Sequence, residues 1–598
     1  MCGIVGVIGN RDASNWTWQM LKTISYRGPD GNGVINYPHG SLGMCRLRIR
    51  SPNAQSLPFV EESTGSYVAY NGEVYGQLRN DGNYSEAPTG GTKEVYQILS
   101  KCQNENTRIS SFTSTEQKSA SSTTLNLPID GMYALAQMFP NRNGVTLIRD
   151  RWGIKPLFYR ELHPGYGFAS ELKPLLEISS PPKLREGAIA EFLAFGRPLG
   201  NHTFYDDIWS VPPGGSVHLK AEGMEEQVSP PWFDGTSAQV DSSILLSTVR
   251  SSLEKCLLSE RQVGVALSGG LDSSILAFEL NELGVENLVT ISLCIPGVQD
   301  GVKSLSELNL PANGAWQTWQ HRCVDFTLSD LPRSLNEVVN VMGQPTRMSS
   351  VPLYLKLAQT AQESGITVLL SGEGADEMFF GYSDYLVWQG DRDRSSKLDR
   401  LQSFALSPER QVWLKQLLGE ESLEWCQARF RETYGHLAEN CEFSALRNLE
   451  LSLHLEPLLV RLDHCLMRYA IEGRTPYLHG KVPQVAKGMK IEQLLQNTQT
   501  KVALRNAWLG RLSPKQVERQ KHPFRMPIET WFSRDPYMIE TLISQAGILE
   551  SIGFKLQGIE ALRQKLEFRD RQVHNVGFSL LMLILWIKNR RFKNEVHH

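Results

Sequence analysis

The fold of the C-terminal half follows from Val263-Gly264-Val265-Ala266-Leu267-Ser268-Gly269-Gly270-Leu271-Asp272-Ser273-Ser274. The first five residues form a continuous apolar run, which is typical of a buried strand, and a glycine-rich turn and a helical pattern from Ser273 follow. A second apolar run, residues 366–370, also ends in a glycine-rich turn. Two such units predict a parallel α/β sheet, and the pattern beyond about residue 440 predicts a mostly helical C-terminal part.

The turn has the composition of an anion-binding loop. Its glycines let backbone N–H groups approach a ligand closely, and the N-terminus of the next helix favours negative charge. Asp272 can bind the magnesium that accompanies polyphosphate. The turn lacks the Gly-Lys-Ser/Thr of kinase and GTPase loops, and it resembles the pyrophosphate-binding loop of enzymes that cleave ATP to AMP and pyrophosphate. The alternative is a Ser/Gly-rich turn with a capping Asp. The residues predicted to bind ATP or pyrophosphate here are Leu267, Ser268, Gly269, Gly270, Asp272 and Ser273.

The N-terminal half has a different pattern, in which short β-type runs alternate with turns to about residue 220. Residues 104–125 are rich in Ser, Thr and Asn and predict a mobile surface loop. The chain becomes irregular around 220–240. We therefore predict one domain over residues 2–218, a linker over 219–240 and a second domain over 241–598.

A candidate nucleophile lies at the start of the chain. Removal of Met1 would leave Cys2 with a free α-amine, which can act as the general base for its own thiol. Asn71 and the Gly72 backbone N–H, in Tyr70-Asn71-Gly72-Glu73, could form an oxyanion hole. Arg46 and Glu73 have the opposite charges that suit the carboxylate and ammonium of a free amino acid. Taken alone, Cys2 is better explained as a small residue near a terminus.

Together with Arg27-Gly28-Pro29-Asp30-Gly31 and Arg149-Asp150-Arg151-Trp152-Gly153-Ile154-Lys155-Pro156, these segments resemble the class II glutamine amidotransferase domain. The resemblance covers residues 2 to about 218 and implies an N-terminal-nucleophile hydrolase with a four-layer αββα fold. It implies that Cys2 attacks the side-chain amide of glutamine, that Asn71 and Gly72 form the oxyanion hole, and that Arg46 binds the substrate carboxylate. The family's ammonium-binding Asp is replaced by Thr92, so we expect weaker glutamine binding or a substitute carboxylate.

The second strand of the C-terminal half runs into Ser371-Gly372-Glu373-Gly374-Ala375-Asp376-Glu377. Ligands bind at the C-terminal edge of the strands in parallel sheets. We predict that Asp376 shares a magnesium with Asp272 and that Glu373 orients or deprotonates incoming ammonia. Ser371 and Gly372 complete the predicted ATP and pyrophosphate ligands. The alternative, an acidic solvated loop, explains the charges but not the glycines between them.

Two later segments extend the pattern. Residues 463–467 precede Glu472-Gly473-Arg474-Thr475-Pro476-Tyr477-Leu478, and Arg519-Gln520-Lys521-His522-Pro523-Phe524 follows. They resemble signatures of the glutamine-hydrolysing asparagine synthetase family, whose C-terminal ATP-pyrophosphatase domain is similar to residues 241–590. A lone Lys in a basic loop would ordinarily face solvent, whereas the resemblance makes Lys521 a catalytic residue that stabilises negative charge as pyrophosphate leaves.

The resemblance implies a reaction in two parts. Glutamine is hydrolysed at Cys2, and ammonia moves through an internal tunnel to the second domain. There ATP, with Mg²⁺, adenylates an acceptor carboxylate, and ammonia displaces AMP to give an amide. By family the acceptor is aspartate.

The sequence indicates the chemistry but leaves the identity of the acceptor carboxylate open. Residues 311–324 lack the usual acidic, Ala-rich helix, and His479 stands where the family has Asp. Thr346, Ser349 and Ser350 keep hydroxyls that could touch a substrate. One alternative is the same chemistry on a sugar acid, a peptide or a natural-product intermediate. Another is a non-catalytic nucleotide or glutamine sensor, which the presence of Cys2, Asp272, Glu373 and Lys521 disfavours.

The bulk composition fits a globular protein of at least two domains. The chain has 598 residues, of which 41% are hydrophobic and 21% charged. Its net charge of -3 argues against broad electrostatic binding to nucleic acid or an anionic membrane. Nine scattered cysteines without a Cys-x-x-Cys pair favour the cytoplasm over a disulfide framework or a zinc site. The expected ligands are glutamine, ATP and a carboxylate acceptor, and a homodimer follows by analogy alone.

Overall fold

The N-terminal part is built from two antiparallel sheets. The computed structural model describes residues 2–50, 57–61, 65–77, 129–138, 144–229, 232–234, 239–297, 301–390, 396–519, 524–532, 536–566 and 570–595. Within this part of the chain the strands of the two sheets are β1 Cys2–Ile8, β2 Asn32–Tyr37, β3 Gly40–Arg46, β4 Phe59–Glu61, β5 Ser66–Gln77, β6 Ile129–Met138, β7 Val145–Arg149, β8 Phe158–Glu161, β9 Tyr166–Ala169, β10 Ile208–Ser210, β11 Ser216–Lys220 and β12 Gly223–Gln227.

The two sheets pack face to face. The first has the order β10-β8-β9-β1-β3-β2 and the second the order β12-β11-β7-β6-β5-β4. Ile4 and Leu42 from the first sheet share a buried apolar cluster with Ala134 and Leu147 from the second. Alternation of side chains along each strand makes this possible, because every second residue points into the space between the sheets. The predicted β-sandwich is thus confirmed.

Helices cover the outer face of the first sheet. They are α1 Ala13–Thr23, which packs on β1 and β3, and α2 Leu172–Leu176, which packs on β8 and β9. Helix α3 Ala188–Phe195 instead packs on two helices of the C-terminal part, Pro408–Leu418 and Glu420–Tyr434. Helices α1 and α2 and the two sheets account for three of the four layers of the expected αββα fold. The fourth layer stays a prediction, and the predicted surface loop at 104–125 lies outside the described residues.

The predicted parallel sheet is also confirmed. Its strands are β13 Val263–Ala266, β14 Val289–Cys294, β15 Gln320–Asp325, β16 Val368–Leu370 and β17 Glu472–Arg474, and they pair in parallel in the order β15-β14-β13-β16-β17. Strands β13 and β16 are neighbours, so their carboxyl ends meet at one edge. This pairing places the two glycine-rich turns side by side.

Helices make up most of the C-terminal part, as predicted. Two of them, ending at Glu450 and beginning at Glu456, are joined by the π-helical turn Leu451–Leu455. The helices are α4 Ser242–Cys256, α5 Leu271–Glu282, α6 Leu331–Met342, α7 Val351–Glu363, α8 Ala375–Phe379, α9 Asp384–Gly390, α10 Lys397–Ala405, α11 Pro408–Leu418, α12 Glu420–Tyr434, α13 Glu442–Glu450, α14 Glu456–Met467, α15 Val482–Gly488, α16 Ile491–Leu494, α17 Val502–Trp508, α18 Pro514–Val517, α19 Ile528–Phe532, α20 Pro536–Ser544, α21 Ala546–Glu550, α22 Leu556–Lys565 and α23 Arg571–Glu595.

Two boundaries differ in detail from the sequence-based expectation. Helix α5 begins at Leu271 rather than at Ser273. Strand β12 lies inside the predicted linker, 219–240, and pairs with β11 at the edge of the second sheet. The sandwich therefore extends past residue 218, and the exact bounds of the linker stay a prediction.

The apolar C-terminal stretch forms helix α23, whose residues from Leu580 to Trp586 are buried against the other C-terminal helices. Among the described residues, no helix combines the length and the apolarity that crossing a membrane requires.

Candidate active sites

Cys2 begins the strand in the interior of the first sheet and is 6% exposed. Its backbone nitrogen donates a hydrogen bond of 3.1 Å to Oδ1 of Asn71 on β5. The Asn71 Nδ2 is buried and has no hydrogen-bond partner among the described residues. A buried, unpaired amide donor next to the thiol is suited to an anionic oxygen that develops during attack by the thiol. The structure thus brings together two of the predicted glutaminase residues.

Gly72 follows Asn71 in a backbone conformation with φ of +144°, which favours glycine. A Cβ at this position would lie 1.9 Å from the carbonyl oxygen of Met132 on the paired strand β6. Only glycine therefore fits where β5 passes the nucleophile, and the predicted second oxyanion donor is a backbone N–H on a tightly enclosed segment.

Arg46 is the register partner of Cys2 on β3, which places the predicted carboxylate-binding cation beside the nucleophile. Burial raises the pKa of the Cys2 thiol, while the N-terminal amine and Arg46 act in the opposite direction. Since burial is the larger effect, the thiol needs a base to become a thiolate. The role of the Cys2 α-amine as that base stays a prediction.

Glu73, predicted to bind the ammonium of glutamine, faces the other domain. Its carboxylate forms an ion pair of 3.3 Å with Arg50 and lies 3.9 Å from Arg474 on β17. Burial and the neighbouring Glu472 raise the pKa of Glu73. Its role as a glutamine ligand stays a prediction. Thr92, the other residue assigned to the ammonium, lies outside the described residues.

The loop from Leu267 to Gly270 leads directly into the N-terminus of α5. Gly269 has a φ of +71°, and its carbonyl oxygen accepts a hydrogen bond of 2.7 Å from Arg519. The hydroxyl oxygens of Ser268 and Ser273 lie 3.1 Å apart, and the Gly270 N–H donates to Ser268. Hydroxyls and backbone N–H groups thus converge where a helix dipole adds positive potential, as an anion-binding loop requires.

The two carboxylates predicted to bind magnesium do meet, but a lysine lies between them. Nζ of Lys501 is 2.6 Å from a carboxylate oxygen of Asp272 and 2.6 Å from Oδ1 of Asp376. Lys501 precedes helix α17 and was not predicted to belong to the site. Its position shows that both carboxylates can reach a single cation. Lys521, the lysine that was predicted, lies outside the described residues.

Both carboxylates suit magnesium, because Mg²⁺ in nucleotide sites usually takes one or two carboxylates and completes its shell with water and phosphate oxygens. The lysine ammonium is a stand-in cation at the point where the two carboxylates converge. Among the described residues, no group of three or more His, Cys, Asp or Glu side chains could hold a metal on its own. The residues present therefore fit a metal that is shared with a polyphosphate.

Glu373 is clamped by two side chains that the sequence did not indicate. Its Oε1 accepts short hydrogen bonds from the Tyr354 hydroxyl and from Nη2 of Arg461. The Nη1 of Arg461 donates to the Ser350 hydroxyl at 2.6 Å, and the guanidinium stacks 4.2 Å from the Tyr354 ring centre. Burial and the negative charge of Glu373 raise the pKa of Tyr354, so its hydroxyl remains a donor. Two donors thus fix one oxygen of the Glu373 carboxylate.

The segment Arg149-Asp150-Arg151-Trp152-Gly153-Ile154-Lys155-Pro156 joins the two domains. Arg149 pairs with Glu456 at 2.8 Å, Lys155 with Asp463 at 3.1 Å, and the Trp152 indole donates to the Leu478 carbonyl at 2.8 Å. These three residues of the motif therefore contact the synthetase domain.

Arg27 connects the interface to the nucleophile. Its guanidinium contacts Glu171 and Asp463 at 2.7 Å each, and its Nε lies 3.4 Å from the Cys2 carbonyl oxygen. All three charged groups are buried. A continuous set of ion pairs thus runs from the strand of Cys2 to helix α14, which also carries Arg461.

His479 lies at the same interface and not at the predicted acceptor site. It is 1% exposed, its Nδ1 is 3.4 Å from Asp130 on β6, and its ring packs edge-on against Tyr75. Asp130 also pairs with Lys255 at 3.0 Å. His479, which stands where the family has Asp, therefore lies beside Asp130, a carboxylate of the other domain.

Two family models match the chain. The model described as asparagine synthase matches residues 245–588, and the model of the glutamine amidotransferase domain matches residues 1–230. The two matches divide the chain at the boundary between the sandwich and the parallel sheet.

Three curated relatives are similar to this chain in sequence. Asparagine synthetase [glutamine-hydrolyzing] 1 of Bacillus subtilis (strain 168) is 24% identical over 90% of this chain and 88% of its own length. Asparagine synthetase 3 of Arabidopsis thaliana is 27% identical over 64% of this chain and 61% of its own length. Asparagine synthetase 2 of the same Bacillus strain is 26% identical over 78% of this chain and 66% of its own length. Among solved structures, glutamine phosphoribosylpyrophosphate amidotransferase from B. subtilis is 15% identical over 48% of this chain, with a TM-score of 0.24.

Proposed function

The chain belongs to the asparagine synthase family as an ATP-dependent ligase that takes nitrogen from glutamine, and we propose that it forms an amide through an acyl-adenylate. In the first domain, glutamine and water give glutamate and ammonia. In the second, a carboxylate attacks the α-phosphate of ATP, so that an acyl-adenylate forms and pyrophosphate leaves. Ammonia then attacks the acyl carbon, the bond to AMP breaks, and a proton is released.

One observation carries this proposal. The ends of β13 and β16 bring the glycine-rich loop, two carboxylates and Glu373 to one edge of a parallel sheet, while Cys2 and Asn71 form a separate centre in the sandwich. Ammonia made at the first centre can reach the second only if the two domains stay docked. The ion pairs of Asp463 with Arg27 and Lys155 hold the domains together.

At the glutaminase centre, we assign attack to the Cys2 thiol and proton removal to its α-amine. Asn71 Nδ2 and the Gly72 N–H stabilise the oxygen that becomes negative when the thiol adds to the amide carbon. Arg46, beside Cys2 in the sheet register, binds the substrate carboxylate. These roles are proposals that the geometry supports.

At the synthetase centre, the loop at 268–270 and the N-terminus of α5 bind the pyrophosphate part of ATP. Asp272 and Asp376 would hold magnesium, which when bound neutralises phosphate charge. Glu373 orients ammonia through its second oxygen, because Tyr354 and Arg461 fix the first. We assign stabilisation of the departing pyrophosphate to Lys521.

Aspartate is the acceptor that the family suggests, and another carboxylate is the alternative. Arg461, which lies next to Glu373, donates to that carboxylate and to Ser350, and its Nε is buried without a hydrogen-bond partner among the described residues, so the contacts of Arg461 do not decide between the two acceptors. His479 does not bear on the choice, because it lies at the domain interface.

The test measures pyrophosphate release with ATP, magnesium and glutamine, with and without aspartate, for the parent protein and Cys2→Ala. We expect AMP and pyrophosphate in equal amounts and an amide that the parent forms from glutamine but Cys2→Ala forms only from ammonia. Release that depends on aspartate identifies an asparagine synthetase. Glutaminase activity without any response to aspartate points to another acceptor, and a panel of sugar acids and peptides follows. ADP as the nucleotide product would contradict adenylation.

A further inference from the structure

Lys501 occupies the position at which the two predicted magnesium ligands converge. The Lys501 side chain is 3% exposed, and its ammonium bridges Asp272 and Asp376 at 2.6 Å. Its backbone N–H donates to the Phe380 carbonyl at 3.3 Å, and its own conformation is left-handed, with φ of +54°. An unusual backbone conformation, held by a hydrogen bond to the acidic loop, aims this side chain at the carboxylates.

The acidic loop is shaped around this contact. A Cβ on Gly381 would lie 1.8 Å from Oδ1 of Asp376 and 2.4 Å from Cε of Lys501. Glycine at 381 therefore allows the lysine and the aspartate to meet. The contact is enclosed by the fold and is not a chance approach of two surface side chains.

We propose that Lys501 keeps the magnesium position closed in the nucleotide-free enzyme, so that the metal enters only together with a polyphosphate. The inference rests on the proposed function in that it takes Asp272 and Asp376 as the carboxylates of the ATP site. It goes further, because it sets the order in which the ligands bind.

The reason is electrostatic. Mg²⁺ alone would have to displace the ammonium and leave it buried without a counter-charge, and an uncompensated buried charge is strongly unfavourable. A polyphosphate brings several negative oxygens to the loop at 268–270, so that both the lysine and the metal gain partners. Metal and nucleotide therefore bind cooperatively, and each raises the affinity for the other by the same factor.

The experiment uses Mn²⁺ as the probe, with free Mn²⁺ followed by electron paramagnetic resonance. The full-length parent protein should bind Mn²⁺ at least about tenfold more tightly with a non-hydrolysable ATP analogue than without it, after correction for Mn²⁺ bound to free analogue. Lys501→Met, which keeps the length of the side chain without its charge, should bind Mn²⁺ in the absence of nucleotide. Lys515→Met, which removes an exposed lysine from α18, should behave as the parent does.

Thermal unfolding supplies a second measurement. Lys501→Met removes the ammonium that bridges the two carboxylates, so its melting temperature should be low in EDTA and should rise with Mg²⁺ alone. The parent should show no such rise until nucleotide is added. Tight Mn²⁺ binding by the nucleotide-free parent would overturn the inference, as would a Lys501→Met protein whose metal affinity is unchanged.

These outcomes are separate from the test of the proposed function. If AMP and pyrophosphate form but nucleotide does not alter Mn²⁺ binding, the inference about Lys501 fails and the proposed reaction stands. If Mn²⁺ behaves as expected but no carboxylate supports pyrophosphate release, the proposed reaction fails and the role of Lys501 stands.

Discussion

Tyr354 and Arg461 donate to the same oxygen of Glu373, which makes the position of that carboxylate depend on both. In Tyr354→Phe the ring remains and only the hydroxyl is lost. A hydrogen bond to a charged group contributes about 1.5–3 kcal/mol, so we expect amide formation to fall by roughly 10- to 100-fold. The loss should appear in the ammonia-dependent step, measured as amide formed at varied ammonia, and not in the exchange of pyrophosphate into ATP.

A matched control exists in the same domain. The Tyr385 hydroxyl also donates to a buried carboxylate, Glu450, at 2.8 Å. Tyr385→Phe should lower stability to a similar extent but leave the apparent KM for ammonia unchanged. Equal effects of the two substitutions on ammonia use would show that the Tyr354 hydroxyl acts only through stability.

Asn71 links the nucleophile to the predicted oxyanion hole. Its Oδ1 holds the Cys2 backbone nitrogen, and its Nδ2 is buried without a partner among the described residues. Asn71→Ala removes both contacts, and loss of one oxyanion donor commonly lowers kcat by about 100- to 1,000-fold. Glutamate production should fall by this factor while ammonia-dependent pyrophosphate release is kept. Loss of both activities would indicate misfolding.

The site residues that the sequence predicted differ in one respect from Lys501, which it did not predict. Cys2, Asn71, Asp272 and Asp376 lie in motifs whose glycines and spacing have a chemical reason. Lys501 is 229 residues from Asp272 in sequence and directly precedes an ordinary helical stretch. The packing of α17 against α4, α16 and α8 brings it to the carboxylates, and that packing has no local signal in the sequence.

At the scale of elements, the acidic turn after β16 is the most constrained part of the synthetase site. A Cβ on Gly381 would overlap Asp376 and Lys501, so Gly381→Ala should displace one of them. We expect pyrophosphate release to be nearly abolished and glutamine hydrolysis to be kept, as measured by separate assays of pyrophosphate and glutamate. Gly488→Ala is the control, because a Cβ there meets no atom within 4 Å. Full activity of Gly381→Ala would contradict this account of the turn.

Strands and turns were predicted more accurately than domain contacts. Continuous apolar runs bounded by glycine located β13 and β16 to within two residues, because parallel strands are buried on both faces. The motif at 149–156 indicates the glutaminase domain, and its residues Arg149, Trp152 and Lys155 contact the other domain. A sequence motif identifies residues that belong to a domain, but it does not show whether they contact the active site of that domain or the neighbouring domain.

At the scale of the whole molecule, the interface is held by buried charges. Asp463 accepts from both Arg27 and Lys155, and its side chain is fully enclosed. Burial opposes ionisation, but these two cations hold the pKa of Asp463 below its usual value. The ionised carboxylate therefore stabilises the docked domains, and the two catalytic centres share one relative position.

Asp463→Asn would leave Arg27 and Lys155 buried with less counter-charge, which for a broken buried pair costs about 3–5 kcal/mol. We expect a lower melting temperature and more glutamate per amide formed, because ammonia escapes when the domains separate. Glu225→Gln, which breaks an exposed pair with Lys220, should change stability by less than about 1 kcal/mol.

The same carboxylate predicts a pH dependence of stability. The pKa of Asp463 is lower in the folded protein than in the unfolded chain, where an Asp has a pKa of roughly 3.9. Its contribution is therefore complete above about pH 4–5 and is lost as the pH falls through the folded value. The melting temperature of the parent should fall more steeply with acid than that of Asp463→Asn. Parallel curves for the two proteins would show that Asp463 is not ionised at the interface, and the electrostatic account of domain docking would then be wrong.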